Sequence, residues 1–248
     1  MKLKNVEDTT KTIISFIQDT FKQKGFKKAV IGLSGGLDSA VVAFLLVKSL
    51  GKDNVIGVSL PCGVQKDIDD VKKLVRVLGI RYDTLNIAPT VASFVNTIKY
   101  DGDDKVSEGN IKARVRMTIL YDLSSFHNAL VVGTGNKTEL DLGYFTHYGD
   151  GSCAIEVIGH LYKTEVFDLA KYLEIPDSII KKPPSAGLWE GQTDEKELGA
   201  SYEEIDECLE SINDTKDFTG KNMKLINSLL YRINKNKFKS ELPWRIKR

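Results

Sequence analysis

"KKAVIGLSGGLDSAVVAFLLVKSLG", residues 27–51, decides the architecture. Ala29 to Leu33 is a short apolar run rich in Val and Ile, which reads as a buried strand. Ala40 to Leu50 is a run of strong helix formers that stops at Gly51, a good helix-terminating residue. Between them stand two hydroxyls, two adjacent glycines and one acid, in the order Ser34, Gly35, Gly36, Leu37, Asp38, Ser39.

The same rhythm continues on both sides. Val6, Ile13, Ile17 and Phe21 mark one stripe of a helix over 6–24 that ends at Gly25. Strand 28–33 and helix 38–50 are followed by strand 54–60, helix 67–78 and strand 81–87. A helix near 90–98, the polar loop "YDGDDKVSEGN", a long helix 110–126 and strand 129–133 come next. Strands that are apolar on both faces and alternate with helices predict a doubly wound, mainly parallel α/β sheet with helices on both faces. The remaining third reads as helices and loops, and "KKPPSAGLWEGQTDEKELG" (181–199) shows no obvious element.

Composition bounds the function. Hydrophobic residues make up 42% of the 248 and charged residues 28%, ordinary values for a globular protein. The formal charge of +1 argues against a protein built to coat nucleic acid. No apolar run approaches the roughly 20 residues of a membrane helix. The N-terminus has no secretory core. Cys62, Cys153 and Cys208 are odd in number and far apart, which suits a reducing cytoplasm and gives no metal spacing. His127, His147 and His160 show no ligand spacing either.

Ligands of such sheets sit beyond the carboxyl ends of the strands, and Gly32 to Ser39 lies there. Gly35 and Gly36 let backbone amides approach an anion with no Cβ in the way. The helix start adds unpaired N–H groups and a positive dipole end, and Ser34 and Ser39 add donors. The loop is built for phosphate, yet it is neither G-x-x-x-x-G-K-[ST] nor G-x-G-x-x-G. A carboxylate beside phosphates is repulsive unless a cation lies between them, so Asp38 implies Mg²⁺. A glycine pair with an Asp N-cap would alone be an ordinary turn. The full S-G-G-x-D-S pattern between a buried strand and a helix points beyond that.

"SGGLDS" resembles the loop of the PP-loop ATP pyrophosphatases, an adenine-nucleotide α-hydrolase-like group that splits ATP between the α- and β-phosphates. "EGNIKARVRMTILYDLS", "VVGTGNKTELDLGYFTHYGDG", "GHLYKTEVFDLA" and "PPSAGLWEGQTDEKELG" are similar, in order, to segments of the NAD synthetases. The chain starts one helix before the loop, so it resembles the ammonia-dependent form, a single domain over 1–248 without a glutaminase domain. The resemblance implies ATP-dependent amidation of deamido-NAD by ammonia through an adenylate, giving AMP and pyrophosphate, in a cytoplasmic homodimer. The length of 181–199 and the need to shield an adenylate from water point to a mobile lid there, and 231–248 reads as a basic tail.

Carried over residue by residue, the resemblance sets ATP against Gly32, Leu33, Ser34, Gly35, Gly36, Leu37, Asp38, Ser39, Thr134, Lys163 and Ser185. It gives Mg²⁺ to Asp38 and Glu139, and the dinucleotide to Arg114, His147 and Lys239. Asp150 is the candidate that deprotonates ammonium, and Asp38 and Lys163 are the catalytic pair. From the residues alone, Glu139 is equally a helix-start acid, and a buried arginine needing an anion could be Arg114 or Arg116. Lys163 at a helix start opposes the dipole, a hint of a bound anion. His147, Ala154 and Phe238 depart from the usual lysine, aspartate and histidine of the family. A rival reading is a tRNA-thiolating PP-loop enzyme, for which Cys62 would lie near the site. A non-catalytic nucleotide sensor could dispense with Asp38, Glu139 and Lys163 together, and all three are present.

Overall fold

The computed structural model describes residues 2–64, 68–98, 104–185, 187–189 and 191–242. Among them five strands form one parallel sheet: β1 (Lys28–Gly32), β2 (Val55–Ser59), β3 (Arg81–Thr84), β4 (Ala129–Gly133) and β5 (Ile155–Glu156). Their order is β3-β2-β1-β4-β5. The winding direction reverses between β1 and β4, so a crevice opens at the carboxyl ends of those two strands. The phosphate-type loop follows β1 and therefore sits at that reversal.

Each central strand is buried on both faces, as the sequence predicts. Ala29 and Ile31 pack on one side with α1 (Val6–Lys24), α2 (Leu37–Leu50), α3 (Ile68–Leu78) and α7 (Lys163–Tyr172). Val30, Val58 and Val131 pack on the other with α4 (Ala88–Ile98) and α5 (Lys105–His127). Each such Val or Ile stabilises the fold by roughly 1.5–3 kcal/mol through burial. The helix α1 shows how local signals set the boundaries. Asn5 caps it by accepting from the Asp8 amide at 3.1 Å, and Gly25 ends it at φ 76°. A third apolar cluster joins α6 (Lys137–Leu142), α10 (Tyr202–Glu210) and α11 (Met223–Asn236) beside the carboxyl end of the sheet.

Four expectations are corrected. The third strand ends at Thr84 rather than residue 87, because the side-chain Oδ1 of Asn86 accepts from the Gly63 and Ala88 amides and turns the chain into α4. The long helix begins at Lys105, inside the expected polar loop, because Asp104 caps it through the Ser107 amide. Residues 99–103 of that loop lie outside the described residues. The two-residue β5 was not expected; it is extended by the Ala154 amide donating to the Val131 carbonyl at 2.9 Å. Segment 181–199 contains a helix, α9 (Asp194–Leu198), and directly before that segment stands α8 (Asp177–Ile180).

Candidate active site

The phosphate-type loop is braced by its own hydroxyls. Ser34 Oγ accepts from the Gly36 amide at 3.1 Å and lies 3.1 Å from Ser39 Oγ, which donates to the Gly36 carbonyl at 3.0 Å. Gly35 sits at φ 82°, a conformation that an L side chain strains to adopt. No side chain caps the start of α2, so the amides of its first turn face the crevice. A cavity of about 1190 Å³ opens there.

Three elements converge on one ion cluster. Asp38 stands in the first turn of α2, Glu139 in the first turn of α6, and Lys163 begins α7. The Lys163 ammonium is paired to Asp38 Oδ2 and lies 3.8 Å from Glu139 Oε1. Lys163 is only 3% exposed, which a lysine tolerates when it is paired. It also lies 5.3 Å from the Tyr202 ring centroid. Burial alone would lower its pKa, but the charges of Asp38 and Glu139 outweigh burial and raise it. Glu139 is pushed up to about 8, by burial first and by the Asp38 charge second. Two carboxylates share one ammonium, and Glu139 carries the excess. The anion that the position of Lys163 hinted at is therefore internal in this structure.

Asn136 was missed by the sequence reading, although N-x-x-E before a helix is a capping-box signal. It is fully buried, caps α6 by accepting from the Glu139 amide at 3.0 Å, and donates to Asp38 Oδ1 at 3.1 Å. Glu139 Oε2 returns the box by accepting from the Asn136 amide at 3.3 Å. Glu139 is thus a helix-start acid and a member of the cluster at once, with Oε1 left to face Lys163.

The structure brings most of the expected residues together. Gly32 to Ser34, Gly36 to Ser39, Thr134, Glu139, Asp150, Lys163, Ser185 and Lys239 line the cavity. Gly35 turns its carbonyl to Lys182 Nζ at 2.9 Å, and Lys182 also pairs with Asp70 at 2.7 Å. Lys182 holds the Asp70 carboxyl below its ordinary range. Asp150 accepts from the Thr146 amide at 3.0 Å; burial raises its pKa although it opens onto the cavity. A second cavity of about 50 Å³ is shared by Asp150, Glu139, Thr134 and Glu156. Burial holds Glu156 up at about 7, against a hydrogen bond from the Cys153 thiol.

The expected burial of Arg114 is corrected. It is exposed, lies outside the cavity and donates from Nε to the His147 carbonyl at 3.2 Å. Two residues along a helix turn about 200°, so Arg116 takes the inward face instead. Arg116 lines the cavity, donates to the Leu60 carbonyl at 3.0 Å, and has its pKa lowered by burial. His147 also lies outside the cavity, stacked on the exposed Tyr148 at 3.8 Å. Lys239 Nζ donates to the Gly143 and Phe145 carbonyls at 2.8 and 2.9 Å.

Segment 181–199 is tied at both ends. Lys182 holds one end to the phosphate-type loop, as above. At the other, Tyr144 donates to Glu197 Oε2 at 2.7 Å and Tyr202 to Asp194 Oδ2 at 3.0 Å. Ser185, between the ties, accepts from the Gly187 amide at 3.1 Å.

A serine-braced, glycine-bearing loop at the sheet's reversal point, facing a buried lysine between two acids, defines a doubly wound α/β protein of the PP-loop, ATP-binding class. The profile of the family described as NAD synthase matches residues 9–243. An NH(3)-dependent NAD(+) synthetase of Methanosarcina mazei is 44% identical, over 96% of this chain and 97% of that one. The solved NH3-dependent NAD synthetase of Campylobacter jejuni, in complex with the nitrate ion, superposes with a TM-score of 0.86. It is 36% identical and covers 99% of this chain and 100% of its own. The solved NMN synthetase of Francisella tularensis superposes at 0.88, 35% identical, covering 98% of each. The chain belongs to the NAD synthase family and is an enzyme of the ligase class. The tRNA-thiolating alternative is not favoured. Cys62 does line the cavity, but the Cys153 thiol is pushed up by burial and by Glu156, and the family match lies elsewhere.

Proposed function

We propose that the protein joins ammonia to the nicotinate carboxylate of deamido-NAD at the expense of ATP, releasing AMP and pyrophosphate. The observation that carries this reading is the Asp38–Lys163–Glu139 cluster facing the loop after β1, in a chain of the NAD synthase family. The nicotinate carboxylate is ionised at neutral pH and attacks the α-phosphorus without a general base. Negative charge then grows on the departing pyrophosphate. In this reading the amides of the loop, the start of α2 and the Lys163 ammonium stabilise that charge. Ser185, which also lines the cavity, adds a hydroxyl.

Asp38 and Glu139 fit Mg²⁺, which favours hard oxygens and commonly takes one or two carboxylates together with phosphate oxygens. Among the described residues no group of three or more His, Cys, Asp or Glu forms a self-sufficient metal site, so the nucleotide would complete the set. When bound, the ion supplies charge neutralisation at the phosphates. Asp150 takes the proton of ammonium, and burial, by raising its pKa, makes it a stronger proton acceptor than an ordinary carboxylate. Residues 181–199 close over the adenylate and exclude water.

The working unit is a homodimer. Phe94 and Ile98 on α4 and Val106, Tyr121 and Phe126 on α5 are exposed apolar side chains on one layer of the fold. Arg114 and His147, outside the cavity of one chain, serve the dinucleotide where two chains meet. No helix of the described residues is long and apolar enough to cross a membrane, and we place the enzyme in the cytoplasm.

Product analysis tests the function. With ATP, Mg²⁺, ammonium and deamido-NAD, equimolar NAD, AMP and pyrophosphate are expected. ADP and phosphate would refute the loop reading. The Francisella relative is named for NMN, so the corresponding acid mononucleotide is run in parallel. Faster turnover of the mononucleotide would refute the dinucleotide assignment and leave the amidation intact.

A further inference from the structure

Asp206 is completely buried on α10 and touches neither the cavity nor the ion cluster. Its carboxylate accepts three hydrogen bonds: from Thr138 Oγ1 at 2.5 Å, from the Thr164 amide at 2.8 Å and from Thr164 Oγ1 at 2.8 Å. Thr138 directly precedes Glu139, and Thr164 directly follows Lys163. Thr138 Oγ1 in turn accepts from the Lys163 amide at 2.9 Å. One acid therefore binds the first turns of α6 and α7 together, next to the two residues that those helices deliver to the cluster. The Lys137 amide, donating to the Leu161 carbonyl at 2.8 Å, adds a parallel backbone tie.

The chemistry explains why the position holds an acid. Thr138 Oγ1 is already an acceptor for Lys163, so its one proton is directed outward and needs an acceptor in turn. The Thr164 amide is an unpaired donor of a helix start and needs the same. A carboxylate, acceptor on both oxygens, meets all three donors, and two helix starts favour its charge. An asparagine sets its NH₂ either against the Thr138 proton or against both Thr164 donors.

We propose that Asp206 is a positioning residue for the phosphate-binding lysine, fixing the backbone of Lys163 so that its ammonium meets ATP. This rests on the reading above that Lys163 contacts ATP phosphates. A double-mutant cycle on ATP binding, measured calorimetrically with Mg²⁺ on the full chain, separates the two. Lys163→Met should weaken ATP binding by at least tenfold; an unchanged affinity would remove the lysine reading itself. Asp206→Asn should weaken it about tenfold in the native background and no more than about twofold in the Lys163→Met background. Equal factors in both backgrounds, or no effect in the native one, would overturn the positioning role while the lysine reading stood.

Leu229→Ala, in the same apolar cluster as α10, supplies the comparison for general destabilisation. It should lower Tm with ATP affinity unchanged. A matching loss of ATP affinity there would also overturn the proposal. Should Asp206→Asn fail to fold, Thr164→Val removes one hydroxyl donor and keeps the amide bond. It should weaken ATP binding about threefold in the native background alone, and an unchanged affinity would overturn the role.

Discussion

The Lys163 ammonium stands where the two acids offered to a divalent ion converge, so the protein without nucleotide has its own cation in the way. Replacing Lys163 by Met keeps the unbranched side chain as far as Cε and removes the charge. An ammonium about 4 Å from a carboxylate contributes on the order of 4 kcal/mol at an effective dielectric constant near 20. Lys163 lies 3.8 Å from Glu139 Oε1 and closer to Asp38, with both acids less than a fifth exposed. A divalent ion binding to the native protein must overcome the repulsion of this lysine or displace it. Halving the pair energy for solvent and for the desolvated acids left behind gives about 2 kcal/mol, roughly a 30-fold change in affinity. The assay is Mn²⁺ titration followed by paramagnetic resonance of the free ion, with nucleotide absent. Lys163→Met should bind Mn²⁺ about 30-fold more tightly than the native chain, and Asp38→Asn more weakly. Native-like or weaker Mn²⁺ binding by Lys163→Met would refute the reasoning, whatever its effect on turnover.

Three further outcomes follow from other parts of the structure. Glu156 is held at about 7 in the fold against 4.5 when unfolded, so the folded state binds the extra proton between those values and native stability falls as pH rises through them. That loss is on the order of 3 kcal/mol, and Glu156→Gln lacks it. The Tm difference, variant minus native, should be more positive at pH 8 than at pH 5; a pH-independent difference would refute the assignment. Lys182→Ala unties one end of segment 181–199 from Asp70 and Gly35. Losing roughly 1 kcal/mol of local stability should speed limited proteolysis within that segment about fivefold, with an unchanged rate counting against the tie. Gly143 sits at φ +60°, and an added Cβ would lie 2.3 Å from Asn236 Cβ. Gly143→Ala should cost ~2–4 kcal/mol and lower Tm by several degrees, checked by thermal melts.

What could be read from the chain was what neighbours in sequence decide. Strand, glycine turn and helix over 27–51 are consecutive, so "LSGGLDS" declares its own geometry. The acids of the cluster were legible because each follows a strand end, and strand ends share one edge of a parallel sheet. Choosing between Arg114 and Arg116 was beyond periodicity, since α5 spreads polar and apolar residues around all its sides and only the sheet beneath it tells the faces apart. The resemblance implied a role for Arg114, and the fold turns it away from the cavity that Arg116 faces. The ties of segment 181–199 were hidden for a different reason. Tyr144 and Asp70 reach it from 50 and more residues away, and nothing local in "KKPPSAGLWEGQTDEKELG" announces them.

Asp206 shows where that boundary has a physical cause. It lies 68 residues from Thr138 and 42 from Thr164, on a helix whose visible pattern is an acidic outer face. In sequence it is one acid among "YEEIDECLE", several of which are solvated. What distinguishes it is position within the helix. Tyr202, Ile205 and Leu209 define the buried stripe, and Asp206 falls inside it, one residue after Ile205. A buried-stripe acid needs donors, and the donors nearest to hand are the starts of helices. In a doubly wound sheet the helices start at the carboxyl ends of the strands, where substrate binds. An acid buried there by a later helix is thus placed by topology to organise the site from behind, which is why its removal should be felt at Lys163.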